Sequence, residues 1–94
     1  MAVKGIEQTT GRTIERVIVK RKKGPFNGFG PVMQVFLLFT DHTYYEIYAD
    51  NMIYFTGGVD EGGREEVLRY VSDAMEVVYE GYRDENGRPA WSIP

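Results

Sequence analysis

REEVLRYVSDAMEVVYEGY, residues 64–82, is the stretch whose reading decides the fold. Its apolar residues Val67, Leu68, Val71, Ala74, Met75, Val78 and Tyr82 fall on one stripe at helical spacing, which predicts a helix over 64–82. The opposite side carries Glu65, Arg69, Asp73 and Glu76. Glu65–Arg69 and Arg69–Asp73 are i,i+4 pairs of opposite sign, each adding about 0.2–0.5 kcal/mol to an isolated helix. Glu65 and Glu66 suit the positive end of the helix dipole, and Asp60 is the N-cap candidate, with Gly62 and Gly63 weakening the first turn.

Everything before this stretch alternates. TIERVIVKR (13–21), VMQVFLLFT (32–40), TYYEIYA (43–49) and MIYFT (52–56) read as strands, rich in β-branched and aromatic residues. Asp41-His42 and Asp50-Asn51 are turns, and the Gly/Pro dipeptides of 21–31 mark a longer loop. Residues 1–12 are a loose lead-in and 84–94 an extended tail. The expectation is an α+β fold in a single small domain spanning 1–94: a four-stranded antiparallel meander followed by one C-terminal helix packed on one face, β-β-β-β-α.

Composition narrows the classes. The chain has no cysteine, so disulfides and thiolate metal sites are excluded. No apolar run approaches a membrane span or a signal-peptide core, and a cytoplasmic protein with no membrane partner is expected. The net charge of −3 conceals an asymmetry: residues 1–23 hold seven of the eleven cations. Such a split gives a dipolar surface.

The strand pair around Asp41-His42 carries the functional expectation. A two-residue loop and a four-residue loop give the same register, with Phe36 and Leu38 beside Tyr45 and Ile47 on the helix side. The other face then shows Met33, Val35, Leu37 and Phe39 beside Tyr44, Glu46 and Tyr48, with Glu46 at the rim facing water or Arg16. One helix about 10 Å across shields one side only, and each large side chain left in water forfeits roughly 1.5–3 kcal/mol. A second copy packing sheet to sheet through Met33, Val35, Leu37, Phe39, Tyr44 and Tyr48 would cover this face. The tail with Trp91, the lead-in, or a different partner are the other candidates.

The function expected is therefore that of a non-enzymatic binding or regulatory module acting through protein–protein interaction as a homodimer. The acidic helix surface (Glu65, Glu66, Asp73, Glu76, Glu80) suits a basic protein surface. The alternative is a nucleic-acid module using RKKGPFNGF (21–29): Arg21, Lys22 and Lys23 for phosphates, Phe26 and Phe29 for stacking. The plain reading of that loop is a solvated hairpin connection. A small-ligand carrier or an enzyme comes third. His42 is the only histidine, and its turn setting beside Asp41 gives it a structural role. No catalytic set, metal site or cofactor is expected.

Overall fold

In a computed structural model, which describes residues 5–24 and 31–94, all the strands of the described residues belong to one antiparallel sheet. A 3₁₀ turn, Ile6–Thr9, leads into β1 (Ile14–Lys22), β2 (Met33–Phe39), β3 (Thr43–Ala49), β4 (Ile53–Phe55) and the two-residue β5 (Asp60–Glu61). Then come a short helix, α1 (Arg64–Arg69), and two more strands, β6 (Met75–Arg83) and β7 (Pro89–Ser92). The strand order is β4-β3-β2-β1-β6-β7, with β5 on β3. A four-stranded meander closed by a long helix is not the fold: the sheet has seven strands, and the helix is six residues long.

The helix expected over 64–82 stops at Arg69 because the chain behind it is needed elsewhere. Tyr70 turns extended, and Val71 takes a positive φ of 46°. Beyond that point lie Val77, Val78, Tyr79 and Tyr82, residues that favour a strand, and Gly81, which disfavours a helix. The free edge of β1 accepts them along its length, Arg16 against Tyr82 through Lys22 against Met75, with a bulge at Val78. The helical stripe read from sequence is real for Val67 and Leu68, which pack on the core. From Met75 onward, pairing with β1 overrides it. The tail follows suit: Pro89–Ser92 pairs with β6 as an edge strand, Trp91 opposite Gly81.

The register of β2 on β3 is one residue away from the expected one. Three residues, Thr40 to His42, join the strands. The His42 amide donates to the Phe39 carbonyl at 3.3 Å, and His42 has a φ of 63°. This is a turn followed by a left-handed residue, the usual three-residue hairpin. Leu38 consequently faces Tyr44, Leu37 faces Tyr45 and Phe36 faces Glu46. One step of register moves every side chain of β3 to the opposite face.

The core lies between α1 and the side of the sheet carrying Ile18, Phe36 and Leu38, which close on Val67. Two charged contacts hold the helix there. At its start, Arg64 grips the buried Glu80 with two bonds of 2.6 and 3.1 Å, and Arg16 pairs with the same carboxylate. At its end, the Lys20 ammonium donates to the carbonyls of Val67 and, at 2.6 Å, Tyr70. Lys20 is 1% exposed. A cation satisfying the last carbonyls of a helix is favourable both as a hydrogen-bond donor and against the helix dipole.

Two changes test this account. Lys20→Met keeps the volume but leaves those carbonyls without a donor, a loss of about 1–3 kcal/mol in a urea midpoint. The first amides to lose exchange protection should be those of 64–74. Val71→Gly removes a β-branched side chain from the left-handed region and should gain about 1–2 kcal/mol.

Candidate functional site

The register divides the sheet into two very different surfaces. Away from the helix, cross-strand partners form rows. Tyr79, Val19, Val35, Ile47 and Phe55 make one unbroken apolar row across five strands. Beside it run Trp91, Gly81, Val17, Leu37 and Tyr45 on one flank and Glu76, Arg21, Met33, Ala49 and Ile53 on the other. A side chain on Gly81 would meet the Tyr79 hydroxyl at 2.8 Å, so the tyrosine ring occupies the gap in its row. Trp91 is 65% exposed and Ile53 66%.

The lead-in covers one end of this face. Arg12 lies 5.8 Å over the ring of Phe39 and pairs with Asp41. Gly5, at a φ of 93°, packs so closely on Thr56 that a Cβ would stand 2.1 Å from its carbonyl oxygen. That same oxygen accepts the Tyr45 hydroxyl at 2.7 Å. Phe39 and Tyr45 are buried accordingly. Among the described residues nothing else is laid over the face: Met33, Ile53, Phe55, Tyr79 and Trp91 are exposed, and Val17, Val19, Val35, Leu37 and Ile47 are half-buried.

Of the six residues expected to form an interface, Met33, Val35 and Leu37 lie on the open face, and Phe39 lies there but is covered. Tyr44 and Tyr48 are on the helix side, displaced by the register step. The acidic surface assigned to a long helix is dispersed. Glu80 is buried beneath Arg16 and Arg64, Glu76 pairs with Arg21 on the sheet, and Glu66 accepts the Gly63 amide at 2.7 Å. In the basic loop, Arg21 pairs with Glu76 at 3.0 Å, and Lys23 donates to the Ser72 carbonyl at 3.0 Å. Lys22 lies on β1, and Phe26 and Phe29 fall outside the described residues. His42 is exposed in its turn, its ring against Gly63. Asp41 is bonded to Thr43 and Arg12, and the Thr43 hydroxyl leads in holding its pKa low.

On the helix side a half-open cavity of about 440 Å³ lies between the strands and the turn from Tyr70 to Met75. Gln34, Glu46, Tyr48, Tyr70, Val71 and Met75 are among its lining residues. Glu46 is not at the rim of the open face. It sits on this side, where Gln34 Nε2 donates to it at 2.7 Å. Burial pushes the Glu46 pKa up, the Gln34 bond opposes the shift, and Asp60 adds to it. The same carboxylate is the leading cause that raises the Tyr70 pKa. Gln34 is 2% exposed, and among the described residues its Oε1 has no hydrogen-bond partner. Such an orphan acceptor costs about 1–3 kcal/mol.

Sequence reasoning missed this pair, although a signal was present. Gln34 is the one polar residue of β2, and Glu46 the one charged residue of β3. Among the described residues, no group of three or more histidine, aspartate and glutamate side chains could hold a metal ion, and no helix is long and apolar enough to cross a membrane. Comparison of the chain with protein-family models, with curated proteins and with solved structures finds no match.

The desolvated Glu46 makes a pH prediction. Its folded pKa lies above the unfolded value of about 4.3, so its contribution to stability is complete below that pH and is lost as pH rises through the folded pKa. Glu46→Gln should raise the melting temperature at neutral pH, and the gain should vanish below roughly pH 4. Thermal melts of both proteins across that range measure it.

Proposed function

We propose that this chain is a non-enzymatic binding module that works as a homodimer, two copies stacking through their open sheet faces. The observation that carries the reading is the unbroken row Tyr79-Val19-Val35-Ile47-Phe55, left without a covering layer among the described residues. Antiparallel sheets with a wet face normally place polar residues there. Three such rows on strands about 4.8 Å apart span roughly 24 by 20 Å, about 500 Å² in projection and more with side-chain relief. That is of the order of the ~800 Å² per partner of a standard interface.

Charge favours a second copy over a charged partner. The ionised residues of these rows, Arg21 and Glu76, already neutralise each other on the surface of the same molecule. A twofold partner therefore meets apolar rows with apolar rows and brings no unpaired charge. The molecule is also a thin slab, its Cα atoms spanning 41 × 37 × 18 Å, so stacking gives it the second sheet layer about 10 Å away that a sandwich has. The chain's freedom from cysteine fits a cytoplasmic setting for this dimer.

Light scattering coupled to size exclusion tests the reading. The expected molar mass is twice 10.8 kDa at micromolar concentration. Leu37→Glu, at the centre of the face, should return a monomer whose far-ultraviolet dichroism still shows the sheet. A wild-type chain that stays monomeric up to about millimolar concentration, where even a weak association of ~4 kcal/mol would register, overturns it.

A further inference from the structure

We propose that the cavity between the sheet and the Tyr70–Met75 turn binds a small organic cation: an ammonium, guanidinium or amidinium group carried on an apolar or aromatic body. The site lies on the side of the sheet opposite the open face and does not depend on the homodimer.

Four observations lead to this class of ligand. First, the volume of about 440 Å³ lies within the range of small-molecule sites. Second, Gln34 and Glu46 bring acceptor oxygens to its lining. Gln34 spends its amide NH₂ on Glu46, which leaves Oε1 buried beside a carboxylate and without a partner among the described residues. The amide cannot be turned around without setting oxygen against oxygen. Third, among the described residues no cation stands within 4 Å of Glu46. Lys20 acts on it only at longer range, its ammonium being committed to the helix carbonyls. Fourth, the walls are aromatic and apolar. Tyr48, stacked on Tyr54 at 5.2 Å, and Tyr70, edge-on to Phe36, border the space with Val71 and Met75. Aromatic faces around one desolvated carboxylate favour a diffuse organic cation through charge pairing and cation–π attraction together. A single carboxylate is too poor in oxygen ligands for a hard metal ion.

An anion fits less well. Lys22 also lines the cavity and is itself engaged. The field that Tyr70 experiences is dominated by Glu46, with Asp60 adding to it. A bound cation would take the place that Arg16 and Arg64 occupy at Glu80, where two guanidinium groups satisfy the buried carboxylate.

The experiment is a titration of the isotope-labelled full chain, followed by NMR. The probes are phenethylammonium and benzamidinium, their neutral counterpart phenethyl alcohol, and the anion phenylpropionate. At least one cation should give saturable shifts centred on the Gln34 side-chain amide and the backbone of Glu46 and Tyr70. The alcohol should bind at least about tenfold more weakly, since it lacks the charge term. Glu46→Gln can still accept the Gln34 bond; it should keep the dispersed spectrum and lose at least about tenfold in affinity for the cation. Gln34→Met, which keeps the carboxylate, should weaken binding while retaining the preference for cation over alcohol. Three results overturn the proposal: no saturable shift at these residues from either cation, an alcohol or phenylpropionate that binds as tightly as the cations, or cation binding that Glu46→Gln leaves unchanged.

Discussion

The left-handed residue at His42 sets the arrangement on which both surfaces depend. A turn closed by a positive φ makes the β2–β3 connection three residues long, and an odd loop sends Tyr45 and Ile47 to one side and Tyr44, Glu46 and Tyr48 to the other. The local chemistry holds it there. Asp41 is tied to Thr43 and Arg12, and the His42 carbonyl accepts the Gly62 amide at 2.9 Å. An even loop would set Glu46 opposite Leu37 on the apolar face and remove the acid from the cavity. The chain avoids an unpaired carboxylate on a greasy face by the geometry of one turn.

Lys20 plays the corresponding part for the second layer. A lysine on the core side of a central strand is costly unless its ammonium finds acceptors. The carbonyl end of a very short helix supplies them. Six residues are below the length at which a helix holds by itself, so α1 owes its existence to this contact, to the Arg64–Glu80 grip and to Val67 in the core. Ending the helix there also leaves room. The strained turn at Val71 lifts the chain off the strands before it returns as β6, and the cavity occupies the space beneath.

The two surfaces divide the labour of a thin molecule. One face carries a continuous apolar row, and the Arg21–Glu76 pair beside it is neutral. The other is layered by the helix, and at the cavity end it keeps a carboxylate that is desolvated yet not ion-paired among the described residues. Glu46 contrasts with Glu80, two residues of the same type on the same side of the sheet. Hydrogen bonds from Arg64 hold the pKa of Glu80 low, whereas burial with only an amide donor raises that of Glu46. A protein built for stability alone would treat both alike. The positive φ of Val71 and the Gln34 Oε1 left without a partner among the described residues belong to lining residues of the same cavity.

The amino-acid sequence by itself determined where β-structure begins: the alternation and β-branching of 14–22, 33–39, 43–49 and 53–55 are local properties and lie within a residue or two of their expected spans. It also held the signal that too much of the sheet is apolar for one helix to cover. Tertiary structure alone decided the rest. Met75 to Tyr82 satisfies a helical stripe and a strand almost equally well, and the choice falls to a distant edge of β1 that has no other partner. Which side Glu46, Tyr44 and Tyr48 face turns on a single residue of loop length, to which composition is blind. Periodicity records which residues prefer burial; it does not record what they will be buried against, because that depends on contacts between residues far apart in the chain.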